Sequence, residues 1–121
     1  MGVIGVNHLA LRTPDATALR RFYLDLTGAE PLDGDHEPIR LGQTLIVFFP
    51  SEDAGAAPDA DEIAFDVDGA GFDDVLGRAN GLGCDVRGPV AHNACSTSFY
   101  LRDPDGRRLE FILADPGVYW R

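Results

Sequence analysis

Residues 99–111 read Phe99-Tyr100-Leu101-Arg102-Asp103-Pro104-Asp105-Gly106-Arg107-Arg108-Leu109-Glu110-Phe111. Asp first, Pro second and Gly fourth is the chemistry of a tight turn, so Asp103–Gly106 joins two extended pieces, near Ser98–Arg102 and Arg107–Leu113. In the second piece Leu109, Phe111 and Leu113 alternate with Glu110 and Ile112, the period of a strand with one face in a core. Glu110 therefore belongs to the opposite face, on a strand otherwise built for burial.

Working back along the chain, Glu62-Ile63-Ala64-Phe65-Asp66-Val67 alternates in the same way, with Ile63, Phe65 and Val67 inward. Phe72, Val75, Leu76 and Ala79 then form a helical stripe that Gly83 ends. A further extended piece is expected near Cys84–Arg87, followed by a loop over Gly88–Thr97. The first half has the same order. Val3–Arg12 alternates, with Leu9 and Leu11 on one face and His8, Ala10 and Arg12 on the other. Thr13-Pro14-Asp15 starts a helix carrying Leu19, Phe22, Tyr23 and Leu26, and Gly28 closes it. Short strands are expected around Ala29–Leu32, Glu37–Leu41 and Thr44–Phe49.

A shift of 54 lays His8 on Glu62 and Ala10 on Ala64, and one of 55 lays Gly28 on Gly83. A gap of about nine residues then lays Leu45–Phe49 on Leu109–Leu113. The expected fold is α+β: two βαβββ modules forming a cupped mixed sheet with helices on its outer face. Residues 1–121 form a single domain, with module one at about 3–49, a small, acidic, proline-containing linker at 50–61, module two at about 62–113 and a tail at 114–121.

Composition narrows the chemistry. The 121 residues carry 10 basic and 20 acidic side chains, a net charge of −10, and 45% apolar residues. All ten basic residues are Arg, which excludes a Schiff-base lysine and a phosphate loop that needs one. The acidic balance opposes binding to nucleic acid or to anionic lipid. No apolar stretch is long enough to cross a membrane, no signal peptide is visible, and Val6 breaks the myristoylation pattern. Cys84 and Cys95, eleven apart, suit reduced thiols. A cytoplasmic protein is expected.

Familiar motifs fail on spelling. There is no Gly-x-Ser-x-Gly elbow, and His36-Glu37-Pro38-Ile39-Arg40 has Arg where a zinc protease needs its second His. Gly69-Ala70-Gly71-Phe72-Asp73-Asp74 has an acid where a dinucleotide loop needs its third Gly, and reads as the acidic start of a helix. What remains is a set of outward polar residues: His8, Glu62 and Glu110. One imidazole and two carboxylates suit a divalent cation such as Fe, Mn, Ni or Zn, with open positions for substrate oxygens. Each also has an ordinary reading as a solvated or hydrogen-bonded side chain.

The segments Val6-Asn7-His8-Leu9-Ala10-Leu11, Phe22-Tyr23-Leu24-Asp25-Leu26-Thr27-Gly28 and 99–111 resemble the vicinal oxygen chelate superfamily: glyoxalase I, extradiol dioxygenases, and fosfomycin- and bleomycin-resistance proteins. The resemblance runs from about Val3 to Leu113. It implies paired modules closing around a metal, usually in a homodimer, with His8 and Glu110 as ligands. Glu62 stands where the family usually has a second His, which weakens a dioxygenase role. A fourth ligand would fall within Leu45–Val47, all apolar, so at most three protein ligands are expected. Glu62 and Glu110 are the catalytic candidates, Glu62 doubling as a proton-transfer base. Arg12, Arg102, Tyr100 and His92 are candidates for holding the substrate.

Two functions from different classes follow. One is a metal-dependent enzyme that chelates a small molecule through two neighbouring oxygens and stabilises an enolate or oxyanion, by lyase, isomerase or ring-opening chemistry. The other is a metal-free protein that sequesters a drug, similar to the bleomycin-resistance type, whose acidic charge would favour a cationic antibiotic. Tyr119 and Trp120, too apolar for a free tail, are expected to pack on the body or a partner. His36 reads as a surface residue.

Overall fold

The computed structural model describes residues 2–52, 61–93 and 95–114, without the side chain of Asn93. The chain divides into two compact units, Met1–Gly55 and Ala56–Arg121, each with a four-stranded mixed sheet and one helix. Tyr119 and Trp120 lie outside the described residues.

In the first unit β1 (His8–Thr13), α1 (Ala16–Thr27), β2 (Glu30–Pro31), β3 (Ile39–Leu41) and β4 (Thr44–Pro50) form a sheet of order β1-β4-β3-β2. Asp15 caps α1, its Oδ1 accepting from the Ala18 amide at 3.0 Å, and Gly28 closes the helix at φ 67°. Leu19, Tyr23 and Leu26 bury the helical stripe with Leu11, Ile39, Ile46 and Phe48 of the sheet. β1 is shorter than its alternating pattern. It starts at His8, opposite Leu45 near the start of β4, and Val3 and Ile4, which pair with no strand among the described residues, are exposed.

In the second unit β5 (Glu62–Asp66), α2 (Gly69–Gly81), β6 (Arg87–Asn93), β7 (Ser96–Arg102) and β8 (Arg108–Ala114) repeat the order as β5-β8-β7-β6. The duplication read from the sequence is therefore present. The side chain of Asp68 caps α2 by accepting from the Gly71 amide at 2.7 Å. A Cβ at Gly71 would stand 3.1 Å from that carboxylate, so the glycine serves the cap and an acidic group already fills the anion position of the helix start. Beneath the sheet Phe65, Phe111 and Phe99 stack at 5.2 Å spacings, and Phe72 of α2 meets Phe99 edge-on at 5.1 Å. The Asp103–Gly106 turn closes as its spelling requires: the Gly106 amide donates to the Asp103 carbonyl at 2.9 Å, and Asp103 Oδ1 accepts from the amides of Asp105 and Arg107.

Two expectations are corrected. The stretch 88–97 is not a loop: β6 runs over most of it and pairs with β7. Gly and Pro at 88–89 mimic loop chemistry because the strand is irregular there, with register shifts between Arg87 and Val90 and between Ala91 and Asn93. Gly88 sits at φ 102°, where a Cβ would come 3.0 Å from the Ser98 carbonyl, so only glycine fits the bulge. The repeat is also offset by one residue from the alignment by composition. His8 pairs with Leu45 and Glu62 with Arg108, so Leu45–Phe49 corresponds to Arg108–Ile112, and Glu110 matches Val47.

Phe99→Ala should destabilise the protein by about 3–5 kcal/mol, because a fully buried ring between two others is lost. Asp15→Ala should cost only about 1 kcal/mol, the loss of one helix cap. Urea denaturation at neutral pH measures both.

Candidate functional site

Pairing across the second sheet puts Ala64, Glu110, Tyr100 and Arg87 in one row. The row on one side is Asp66, Ile112, Ser98 and Val90; on the other it is Glu62, Arg108 and Arg102. Because facing residues and those two apart share a face, these side chains all lie opposite the phenylalanine stack. Glu62 and Glu110, both singled out in the sequence, thus lie on the same face of one sheet.

Glu110 is 9% exposed and sits in a polar cluster. Its Oε2 accepts from Ser98 Oγ at 2.6 Å and from the Tyr100 hydroxyl at 3.2 Å. His92 Nε2 lies 2.8 Å from that hydroxyl and 3.5 Å from the same carboxylate oxygen. When the phenol donates to Glu110, its oxygen is left to accept from a His92 Nε2–H. Burial pushes the Tyr100 phenol above its usual range, and the charge of Glu110, their hydrogen bond and the charge of Glu62 push it further, against a smaller opposing effect of Ser98. Tyr100 is therefore held as a neutral donor.

All the contacts of Glu110 fall on one oxygen, and Oε1 has no hydrogen-bond donor among the described residues. A buried carboxylate held on one side by neutral hydroxyls is the arrangement that orients a metal-ligating oxygen. Glu62 is more open and draws Arg108 Nη2 to 3.7 Å of its Oε1. Within neither unit do three His, Cys, Asp or Glu side chains among the described residues gather closely enough to hold a metal.

In the first unit His8 lies on the exposed face of β1, with Arg12 further along the same face. Its Nδ1 is 2.8 Å from Asn7 Oδ1, an acceptor, so Nδ1–H donates there and Nε2 is the nitrogen that would face a metal. Leu45, Val47 and Phe49 share that face, whereas Ile46 turns into the core, so of Leu45–Val47 only the first and last lie alongside His8. The donor chemistry of His8 and Glu110 fits a divalent cation, and that of Glu62 fits once its arginine is displaced.

His36 is exposed and packs its ring on Phe49 at 4.0 Å, as a surface residue. Sequence reading missed Ser98. Its signal was available: Ser98, Tyr100 and Arg102 alternate with Phe99 and Leu101, which marks β7 as two-faced.

A profile of the glyoxalase-like domain matches residues 8–112. The chain belongs to the glyoxalase-like domain family. This agrees with its resemblance to the vicinal oxygen chelate superfamily. Among solved structures, the oxidase ChaP-H2 is 26% identical, with 97% of this chain and 98% of that one covered and a TM-score of 0.76. The oxidase ChaP-H1 is 25% identical over 95% and 99%, with a TM-score of 0.79. Lactoylglutathione lyase from Agrobacterium tumefaciens is 23% identical over 98% and 100%, with a TM-score of 0.72, and shares the fold. No curated protein matches the chain significantly.

A raised Tyr100 pKa means that the unfolded chain ionises first as pH rises. Its share of stability is complete below about pH 10, the unfolded value, and is lost as pH climbs through the folded value. The stability gap between wild type and Tyr100→Phe, measured by urea unfolding, should therefore be constant from pH 7 to 9 and shrink above pH 10.

Proposed function

We propose that this glyoxalase-like protein is a metal-dependent enzyme acting on a small molecule with two neighbouring oxygens, with His8, Glu62 and Glu110 holding a divalent cation. The observation that carries the reading is the buried Glu110 carboxylate, fixed through one oxygen by Ser98 and Tyr100. With both hydroxyls on Oε2, Oε1 of this largely buried carboxylate has no donor among the described residues and would be the oxygen offered to a cation. The same cation would stabilise negative charge that develops on a substrate oxygen.

The remaining work falls to the protein. Ser98 and Tyr100 keep Glu110 from rotating. Tyr100, neutral and 2.8 Å from His92, links the buried carboxylate to an imidazole nearer the surface. Glu62, with Arg108 beside it, doubles as the base that takes a proton from substrate. The oxidase names of two structures at 25–26% identity make oxygen-consuming chemistry a branch to assay beside isomerase and lyase chemistry.

The pairing of Glu62 with Arg108 favours a second reading, a metal-free protein of the drug-sequestering type. Metal analysis of protein purified without chelator separates the two. The enzyme reading expects a stoichiometric divalent metal in wild type, its loss in His8→Ala and Glu110→Ala, and affinity lower by about 10–100-fold in Ser98→Ala. A metal-free wild type that binds a cationic glycopeptide drug at micromolar concentration overturns it.

A further inference from the structure

A cleft of about 460 Å³ opens in the second unit, lined by Asp85, Arg87, Tyr100, Leu101, Arg102 and Arg108. Its size suits a small organic molecule. The sheet register explains why three arginines meet there. Arg87 is the strand partner of Tyr100, and Arg102 is the partner of Arg108, two residues along the same strands. All three therefore rise from the face that carries Glu110 and Glu62.

The chain as a whole carries a net charge of −10. Around the cleft, three guanidiniums face the carboxylates of Asp85 and of Glu62, which stands beside Arg108. The side chains that line the cleft are themselves net positive, three arginines against Asp85, with Glu62 and Glu110 behind them on the same face. Arg102 is steadied by its Nη1 donating to the Gly106 carbonyl at 2.8 Å, and Arg108 by Glu62. Arg87 makes no ion pair among the described residues. Planar guanidiniums bind carboxylates and phosphates in pairs of parallel hydrogen bonds, and they repel a cation.

We infer that the cleft is a recognition site for an oxyanion group, carboxylate or phosphate, of a small organic ligand, with Arg87, Arg102 and Arg108 as its binding residues. As a statement about the substrate it rests on the enzyme reading above. As a statement about binding it does not, since the cleft lies within one unit and uses no ligand of the proposed cation. It also runs against capture of a cationic drug at this corner, where the bulk charge alone would favour one.

The test titrates metal-stripped wild-type protein with benzoate, phenyl phosphate, neutral benzamide and cationic benzamidine, following backbone amide shifts by NMR. At least one of the two anions should bind at millimolar concentration, about tenfold or more above benzamide, with the shifts centred on 85–108 and weakened by salt. Phenyl phosphate ahead of benzoate assigns a phosphate, and the reverse order a carboxylate. The preference should vanish in Arg87→Ala and return in part in Arg87→Lys, both at an exposed position where folding is checked by the same spectra. Equal binding of benzamide, tighter binding of benzamidine, an anion preference that survives Arg87→Ala, or no saturable binding of either anion overturns the proposal. Anion binding that appears only after metal is restored also overturns it, because the cation and not the arginines would then read the charge. Anion binding by a protein that proves metal-free leaves the cleft standing and removes the metal reading.

Discussion

A carboxylate that is almost fully withdrawn from water must have its solvation rebuilt by the protein, and around Glu110 much of the second unit does this. Ser98 and Tyr100 approach from the neighbouring strand and His92 from the strand beyond it. Ser98 and Tyr100 reach one oxygen because β7 pairs with β8 in unbroken register from Ser96 to Arg102, and His92 joins them through the pairing of β6 with β7. That register is held from below by the stacked rings of Phe65, Phe111 and Phe99, and at its end by the Asp103–Gly106 turn. The apolar face thus positions the polar one, and the two cannot vary independently.

The fold was legible because its signals are local and repeated. Asp15 and Gly28 bound α1, alternation marks β1, β5 and β8, and the Asp103–Gly106 turn is spelled in its own residues. The failures have physical causes as well. A bulged strand carrying Gly88 and Pro89 has the composition of a loop, and nothing in the residues alone tells one from the other. The one-residue slip between repeats arose because Leu45–Phe49 is apolar on both faces, so composition could not set its phase, whereas hydrogen bonding can. Of the candidate site, Glu62 and Glu110 were placed on a common face from alternation alone. Ser98 is marked by the alternation of β7, but the proximity of His92 to Tyr100 depends on the irregular pairing of β6 with β7, which no pattern along the chain records.

Net charge proved a poor guide to local electrostatics. Ten arginines and no lysines among twenty acids describe an acidic surface. Yet paired strands collect three of those arginines at one corner, while others serve structure, Arg107 bracing the turn through Asp103 and Asp105. Interactions at this scale are shorter than the screening length, so any group entering the cleft would meet the corner and not the average.

The bulge at Gly88 has a consequence for how this protein can diverge. Side chains on a regular strand alternate, so residues an odd number apart look in opposite directions, and Arg87 and Val90 are three apart. The extra residue between them cancels that parity and lets Arg87 line up with Tyr100 while Val90 lines up with Ser98. Losing a single residue at 88–89 would leave the hairpin in place yet turn position 87 towards the aromatic core. A one-codon deletion there would thus exchange an arginine-bearing rim for a buried charge, a route by which close relatives could part in ligand choice without any change of architecture.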